Sequence, residues 1–177
     1  TPDNIIRRPL SYSYEAPCFY AVFPYVESNL AQWLLKTPIR NPQTIRDLFM
    51  QILSILRCLR TRKYYYCDIK ASNFLVQITP DKPPRIEIGD LGGISQYGSN
   101  QITITTGQLP EKMRKNLSWE NIDVTLSMLL GEILLQMLVR SPTDSDTIPP
   151  VMNFFACIQN QKKSICEENL LEIVEGD

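Results

Sequence analysis

The stretch that most constrains the fold of this chain is residues 66–76, which read Tyr-Cys-Asp-Ile-Lys-Ala-Ser-Asn-Phe-Leu-Val. It places an acid (Asp68), an ammonium (Lys70) and an amide (Asn73) in one short segment, immediately before an apolar run typical of a strand. A second acid, Asp90, follows another apolar run. A candidate base, a positive charge and two oxygen ligands for a cation are the groups that phosphoryl transfer requires.

The two apolar runs, 74–78 and 85–88, flank the sequence Thr-Pro-Asp-Lys-Pro-Pro, which is rich in turn-forming residues. This pattern predicts a β-hairpin. The hairpin would set Asn73 at the entrance of one strand and Asp90 at the exit of the other. Both side chains can then converge on one point, as a shared magnesium ion requires.

These residues resemble the catalytic loop of eukaryotic-type protein kinases, H-R-D-[LI]-K-x-x-N, and the D-F-G motif that follows it. Asp68, Lys70 and Asn73 fall on the Asp, Lys and Asn of the loop, and residues 90–92 fall on D-F-G. The resemblance implies that Asp68 accepts or orients the proton of a substrate hydroxyl and that Lys70 steadies the charge on the transferred phosphate. It also implies that Asn73 and Asp90 hold Mg²⁺.

Three positions depart from the kinase pattern. Tyr66 stands in place of the His and would keep an aromatic ring in the hydrophobic spine, while Cys67 replaces the Arg that usually pairs with a phosphorylated activation loop. Leu91 replaces the Phe of D-F-G, next to Gly92. By the resemblance, the loss of the Arg affects regulation by loop phosphorylation more than it affects the chemistry.

Residues 23–27, Phe-Pro-Tyr-Val-Glu, resemble the hinge that joins the two kinase lobes and binds adenine through backbone groups. The resemblance makes Phe23 the gatekeeper and turns the carbonyl of Pro24 and the N–H of Val26 toward the base. It also places Leu75 on the floor under the adenine.

Residues 93–109 are polar and rich in Gly, Ser, Gln and Thr, which predicts an exposed, mobile loop at the position of the activation segment. Glu111 ends a Leu-Pro-Glu sequence that resembles A-P-E, and Asp123 matches the acid that tethers the catalytic-loop backbone. Asp123 is equally suited to cap the helix that follows. The family's substrate-facing threonine could be any of three residues: Thr103, Thr105 or Thr106.

Apolar periodicity and capping residues predict helices over residues 30–36, from Pro42 to about Leu59, and over 121–138, with shorter helices near 150–161 and 167–174. The helix over 121–138 is apolar nearly all round, which predicts that it is buried in the core.

The predicted fold is protein-kinase-like: a mainly α-helical large lobe with short β-hairpins, preceded by a remnant of the small-lobe β-sheet. Residues 1–27 would form that remnant, including a hairpin over 9–14 and 18–23, and residues 28–177 would form a truncated or shortened large lobe. The first residue is Thr rather than Met, which suggests a fragment or a processed product.

Composition narrows the chemistry further. The chain has no histidine, which excludes Ser-His-Asp, Cys-His and His-metal chemistry within it. Its five cysteines are scattered without a C-x-x-C pair, so reduced thiols in an intracellular protein, cytoplasmic or nuclear, are expected. A net charge of −1 gives no electrostatic drive toward nucleic acid or an anionic membrane, and no apolar run is long enough to span a bilayer.

The sequence therefore predicts a protein kinase that uses ATP and Mg²⁺. A lysine two residues after the catalytic Asp is the serine/threonine-kinase pattern, so a Ser or Thr hydroxyl of a protein substrate is the expected acceptor. No G-x-G-x-x-G and no strand lysine precede the hinge, so little catalysis is expected from these 177 residues alone. The alternatives are a pseudokinase scaffold that binds protein partners and, less well matched, a small-molecule kinase of the aminoglycoside type.

Overall fold

The computed structural model describes residues 8–37, 41–105, 107 and 109–138. The chain divides into two compact units, residues 1–141 and 142–177, and all of the described residues belong to the first. The short helices predicted near 150–161 and 167–174 lie outside the described residues.

The first hairpin is formed as predicted. Strand β1 (Ser11–Glu15) pairs antiparallel with β2 (Cys18–Val22), and the register places Tyr14 opposite Phe19 and Tyr12 opposite Ala21. Every residue of both strands is exposed.

Two capped helices follow. Helix α1 (Leu30–Lys36) has a capping box, in which the Asn29 side chain accepts from the Gln32 amide at 2.9 Å and the Gln32 side chain accepts from the Asn29 amide at 3.1 Å. Because this box satisfies two N–H groups that have no partner inside the helix, it fixes the helix start at Leu30. Helix α2 (Pro42–Thr61) begins after Asn41, whose side chain accepts from the Gln43 amide at 2.8 Å.

A small antiparallel sheet has the order β3 (Ser28–Asn29), β5 (Phe74–Gln77) and β6 (Arg85–Ile88). The predicted hairpin over residues 74–88 is confirmed, with Phe74 opposite Ile88 and Val76 opposite Ile86. These four side chains are buried, and they share one face of the sheet because residues directly opposite each other in neighbouring strands point the same way. On helix α2, the Gln51 side chain joins the sheet to the helix by accepting from the Ile86 amide at 2.9 Å.

A second, two-stranded sheet was not predicted. Strand β4 (Tyr64–Tyr66) pairs with β7 (Ile94–Gln96), so the start of the stretch 93–109 is a strand rather than an exposed loop. Gly93, Ser95 and Leu109 within this stretch are buried. The polar composition of 93–109 concealed this pairing, because a three-residue strand lacks enough alternating positions to show a period of two.

Helix α3 (Glu111–Lys115) is short, and helix α4 (Ile122–Leu138) is the last described element. Helix α4 packs in the core as predicted, but along one face, since Val124 is 66% exposed. The buried residues of α4 form one stripe at helical spacing, namely Ile122, Thr125, Leu129, Ile133 and Met137.

One hydrophobic core joins α1, α2, α4 and the buried face of the three-stranded sheet. Tyr66 and Ile69, which flank Asp68 in the loop after β4, belong to the same core. The described unit is thus a mixed arrangement of helices and small sheets around one core. None of its helices, within the residues that the structure describes, is long and apolar enough to cross a membrane.

Candidate functional site

The loop between β4 and β5 is held in place through its backbone. The Cys67 amide donates to the Gly93 carbonyl at 2.8 Å, and the Gly89 amide donates to the Asn73 carbonyl at 2.8 Å. A 3₁₀ turn over Ala71–Asn73 ends the loop, with the Asn73 amide donating to the Lys70 carbonyl at 3.0 Å. These bonds hold the loop at its start, at Cys67, and at its end, at Asn73.

Asp68 lies at the centre of a compact polar network and is only 7% exposed. Its Oδ2 contacts Lys70 Nζ at 2.8 Å and accepts from Asn73 Nδ2 at 2.8 Å. Its Oδ1 accepts from the Thr105 amide at 2.7 Å, and Lys70 Nζ also donates to the Thr105 hydroxyl at 2.8 Å. The structure thus brings together the three predicted catalytic residues, Asp68, Lys70 and Asn73, and adds Thr105.

This network determines the ionisation of Asp68. Burial by itself raises the pKa of the carboxyl, but hydrogen bonds from Lys70, Thr105 and Asn73 outweigh burial and hold the pKa below its ordinary value. These donors stabilise the charged form more than desolvation penalises it. Asp68 is therefore a carboxylate at neutral pH.

Thr105 is the residue that sequence reasoning could not single out among Thr103, Thr105 and Thr106. Of the two that the structure describes, Thr103 and Thr105, it is Thr105 whose amide and hydroxyl both contact the network, and Thr106 lies outside the described residues. Thr103 instead donates its amide to the buried Ser95 hydroxyl at 3.2 Å. Three closely spaced threonines in a polar segment carry no sequence signal that separates them, so only the path of the chain decides.

Tyr66 and Cys67, the two departures from the kinase loop, are both buried. The Tyr66 ring packs edge-to-face on Phe74 with centroids 5.8 Å apart, as the predicted spine role requires. Its hydroxyl has no partner at full hydrogen-bonding geometry within the described part of the chain. Burial raises the pKa of this phenol and outweighs the nearby Asn73 side chain, which lowers it. Burial also raises the pKa of Cys67 to about 11, so this thiol is protonated at neutral pH.

Asp90 is exposed and caps a 3₁₀ turn over Leu91–Gly93, with Oδ1 accepting from the Gly92 amide at 2.8 Å. The predicted support residues Leu91 and Gly92 thus hold the turn that orients Asp90. The hydrogen bond between Gly89 and Asn73 joins the end of β6 to the start of β5, which brings the two predicted magnesium ligands to the same edge of the sheet.

The oxygen atoms at this edge suit a hard cation. The Asn73 side-chain nitrogen donates both to the carboxylate of Asp68 and to its backbone carbonyl, the latter at 3.0 Å. The side-chain oxygen of Asn73, Oδ1, takes no part in those bonds. Asp90 has a second carboxylate oxygen beyond the one that caps the turn. Among the described residues no group of three or more Cys, Asp or Glu side chains could hold a metal ion alone. A carboxylate and an amide completed by phosphate oxygens and water is a normal arrangement for Mg²⁺.

The predicted hinge residues lie in the segment between β2 and β3. Pro24 is exposed, whereas Phe23 and Val26 are half-buried. Leu75 is half-buried in the central strand of the three-stranded sheet, and a Cβ at Gly89 would lie 3.0 Å from its Cγ. Leu75 is therefore next to the edge that carries Asn73 and Asp90.

Two support residues, Asp123 and Glu111, form ion pairs that were not predicted. Asp123 does not bind the catalytic-loop backbone: its Oδ2 pairs with Arg60 at 2.7 Å, and it lies inside the first turn of α4 rather than at the cap. Arg60, in the last turn of α2, lies close enough to Asp123 to form this ion pair. Glu111 pairs with Lys115, one turn along α3, at 2.7 Å, with both side chains largely exposed.

A comparison of the chain with models of known protein families and a search of curated proteins both found no match. The kinase assignment therefore stays a prediction that depends on the motif residues and their geometry.

Proposed function

We propose that this chain carries the catalytic loop of a protein kinase-like enzyme that transfers the γ-phosphoryl group of ATP to a Ser or Thr hydroxyl of a protein, with Mg²⁺. The observation that supports this most strongly is the network in which Asp68 is held ionised between Lys70, Asn73 and Thr105. Scattered polar residues seldom converge on one buried carboxylate unless the carboxylate has a function.

Asp68 retains the capacity to receive a substrate. A carboxylate offers roughly four acceptor positions, of which Lys70 and Asn73 occupy those on Oδ2 and the Thr105 amide occupies one on Oδ1. One position on Oδ1 is thus left for the hydroxyl of a substrate. In the proposed reaction the hydroxyl oxygen bonds to the γ-phosphorus, the bond to the ADP oxygen breaks, and the hydroxyl proton passes to Asp68.

Lys70 supports this step from the other oxygen of Asp68. Its ammonium lies 2.8 Å from both Asp68 and the Thr105 hydroxyl and is a quarter exposed, so it can approach a phosphate at the mouth of the site. A fixed positive charge there lowers the energy of the charge that develops on the transferred group. Thr105 keeps both residues in register.

Asn73 and Asp90 are the residues that would hold Mg²⁺, through the oxygen atoms that their own hydrogen bonds leave available. The ion, when bound, neutralises charge on the phosphate oxygens. Leu75 and the backbone of Phe23, Pro24 and Val26 are the proposed adenine contacts. The chain has no glycine and no lysine before residue 23, so groups that cover the phosphates would have to come from elsewhere.

The second candidate is a pseudokinase scaffold. It is favoured by a specific observation: both amide donors of Asn73 and two of the three donors of Lys70 are already used by Asp68 and Thr105, so the network could act as a structural support for the loop. The exposed position of Pro24 beside Tyr25, which is 88% exposed, also fits a surface that a protein partner covers.

Magnesium-dependent nucleotide binding is the test. Thermal unfolding of the chain should be followed with ATP plus Mg²⁺ and with ATP plus EDTA. We expect Mg²⁺-ATP at tenfold its Kd to raise the Tm by about 3 °C or more, with no rise in EDTA. Asp90→Asn should abolish the rise, whereas Asp81→Asn, at an exposed turn residue with φ of 60°, should preserve it.

Phosphoryl transfer to a Ser/Thr peptide mixture then separates the two candidates. Slow transfer that disappears in Asp68→Asn supports the enzyme, while Mg²⁺-dependent binding without transfer from any preparation supports the scaffold. The kinase proposal is wrong if neither this chain nor any longer product of the same gene binds nucleotide, or if Asp90→Asn and Asp81→Asn bind it equally well.

A further inference from the structure

Three aromatic side chains from distant parts of the chain form a cluster. Tyr65 in β4, Tyr97 after β7 and Trp119 before α4 have ring centroids 5.4 to 5.7 Å apart, in tilted and edge-to-face arrangements. Such geometries are favourable beyond the area that they bury. We call these three residues the aromatic cluster.

The aromatic cluster is fixed to its surroundings by polar contacts. Trp119 Nε1 donates to the Ser99 carbonyl at 2.8 Å. On the opposite side, the Arg60 guanidinium lies 5.8 Å from the centre of the Tyr65 ring and pairs with Asp123 at 2.7 Å. A continuous set of contacts therefore runs from α4 through α2 to the backbone at Ser99.

The segment that follows Ser99 leads directly to the network. The Tyr97 amide donates to the Lys63 carbonyl at 2.9 Å, and the Ser99 side chain and carbonyl hold the turn that leads to Gln101. Two residues further, the Thr103 amide donates to Ser95, and the Thr105 amide then donates to Asp68. The aromatic cluster thus sits at the base of the chain segment that delivers Thr105.

The kinase resemblance would place a cation at residue 67. Cys67 occupies the position of the Arg that would bind a phosphorylated loop, and the Cys67 thiol is buried and uncharged. Residue 67 therefore offers no positive charge that could bind a phosphate on the loop. Other contacts must hold the loop against Asp68 and Lys70.

We infer that Tyr97 and Trp119 are positioning residues, which set the path of residues 97–105 and thereby hold Thr105 against Asp68 and Lys70 without modification of the loop. The structural part of this inference stands independently of function. Its catalytic consequence depends on the proposed kinase chemistry.

Amide hydrogen exchange tests the structural part without any nucleotide. In Tyr97→Ala we expect exchange at the amides of Thr103 and Thr105 to accelerate at least tenfold. Exchange at the amides of Ile86 and Gly89, which are bonded to Gln51 and Asn73, should not change. Tyr97 is half exposed, so its truncation leaves the core in place.

Matched variants separate the ring from its polar atoms. Tyr97→Phe keeps the ring and should preserve protection at Thr105. Trp119→Phe keeps one aromatic ring but loses the bond to Ser99 and part of the ring contact, and should give an intermediate rate. Tyr25→Ala, at an exposed tyrosine, should change nothing. Unchanged protection at Thr105 in both Tyr97→Ala and Trp119→Ala, or an equal loss at Thr105 and Gly89 in Tyr97→Ala, would overturn the inference.

The outcome is distinguishable from failure of the proposed function. If Mg²⁺-ATP does not bind but Thr105 loses protection in Tyr97→Ala, the kinase proposal fails and the positioning role stands. If nucleotide binds and Thr105 protection is unchanged in both alanine variants, the positioning role fails and the kinase proposal stands.

Discussion

The described part of the chain contains two β-hairpins with the same antiparallel pairing and opposite environments. In β1–β2 every one of the ten strand residues is exposed, although the strands carry Tyr12, Tyr14 and Phe19 on one face. In β5–β6 the apolar residues of one face are buried against α2 and the rest of the core. Strand pairing is therefore achieved equally well in both places, and only the second hairpin contributes to the core.

The difference follows from what each hairpin has beside it. β5 pairs with both β3 and β6, and α1 packs against β5 while α2 packs against β6, so the buried face of this hairpin joins the helices in one core. Within the described residues, β1–β2 is a two-stranded sheet, and its aromatic side chains contact each other, with Tyr12 and Phe19 centroids 6.2 Å apart. An isolated two-stranded hairpin is marginally stable in water, because it buries little apolar area.

The sharpest test of this comparison replaces one phenylalanine in each hairpin. Phe74→Ala should lower the free energy of unfolding by about 3–5 kcal/mol, since Phe74 is fully buried against Tyr66 and truncation leaves a cavity. Phe19→Ala, at a residue that is 65% exposed, should change it by no more than about 1 kcal/mol. Urea unfolding curves of both variants measure the two values. Equal losses would mean that β1–β2 also contributes to the core.

Thiol reactivity gives the second comparison. At pH 8 the Cys67 thiol, with a pKa of about 11, is ionised in roughly one molecule in a thousand. Since only the thiolate reacts, Cys67 should be alkylated at least a hundredfold more slowly than the exposed Cys18 in β2, and faster as the pH rises toward 11. Mass spectrometry of the labelled peptides over time measures both rates. Similar rates would show that the loop after β4 opens readily.

Replacement of two glycines by alanine gives the third and smallest effect. The two changes in the free energy of unfolding should have opposite signs. A Cβ at Gly93 would lie 2.8 Å from Asp68 Cβ and 2.9 Å from Tyr66 Cε2, so Gly93→Ala should destabilise the fold by about 1–3 kcal/mol. A Cβ at Gly131, within α4, meets nothing within 4 Å, so Gly131→Ala should stabilise the fold by about 0.5–1 kcal/mol. Urea unfolding checks both signs, and a tolerated Gly93→Ala would contradict the close packing of the Asp68 loop.

Local sequence patterns were sufficient for most of the described elements. The bounds of α1 were predicted correctly, because Asn29 is a strong cap and Thr37-Pro38 ends the helix pattern. The β5–β6 hairpin was also predicted, since its turn residues are unambiguous. The β4–β7 sheet was missed because its strands are three residues long and nearly thirty residues apart, so neither shows a local period.

In the candidate site, too, some residues could be identified from local sequence patterns and others could not. The identities of Asp68, Lys70, Asn73 and Asp90 could be taken from their spacing, because all four depend on a short loop and one hairpin. Asp123 was placed wrongly because its partner is chosen by distance: Arg60, sixty-three residues earlier, lies close enough in space to form an ion pair. Thr105 could not be separated from Thr103 and Thr106 because nothing local distinguishes them.

The reactive groups of the candidate site, and the short segments that carry them, were evident from the order of residues. Caps, turns and apolar periods act over a few residues, so they can be recognised without knowledge of the rest of the chain. The contact of Thr105 with Asp68, the pairing of Arg60 with Asp123 and the burial of the β5–β6 hairpin became known from the fold. Those outcomes depend on contacts between residues far apart in the chain, where small differences in distance and solvent exposure determine which partner is bound.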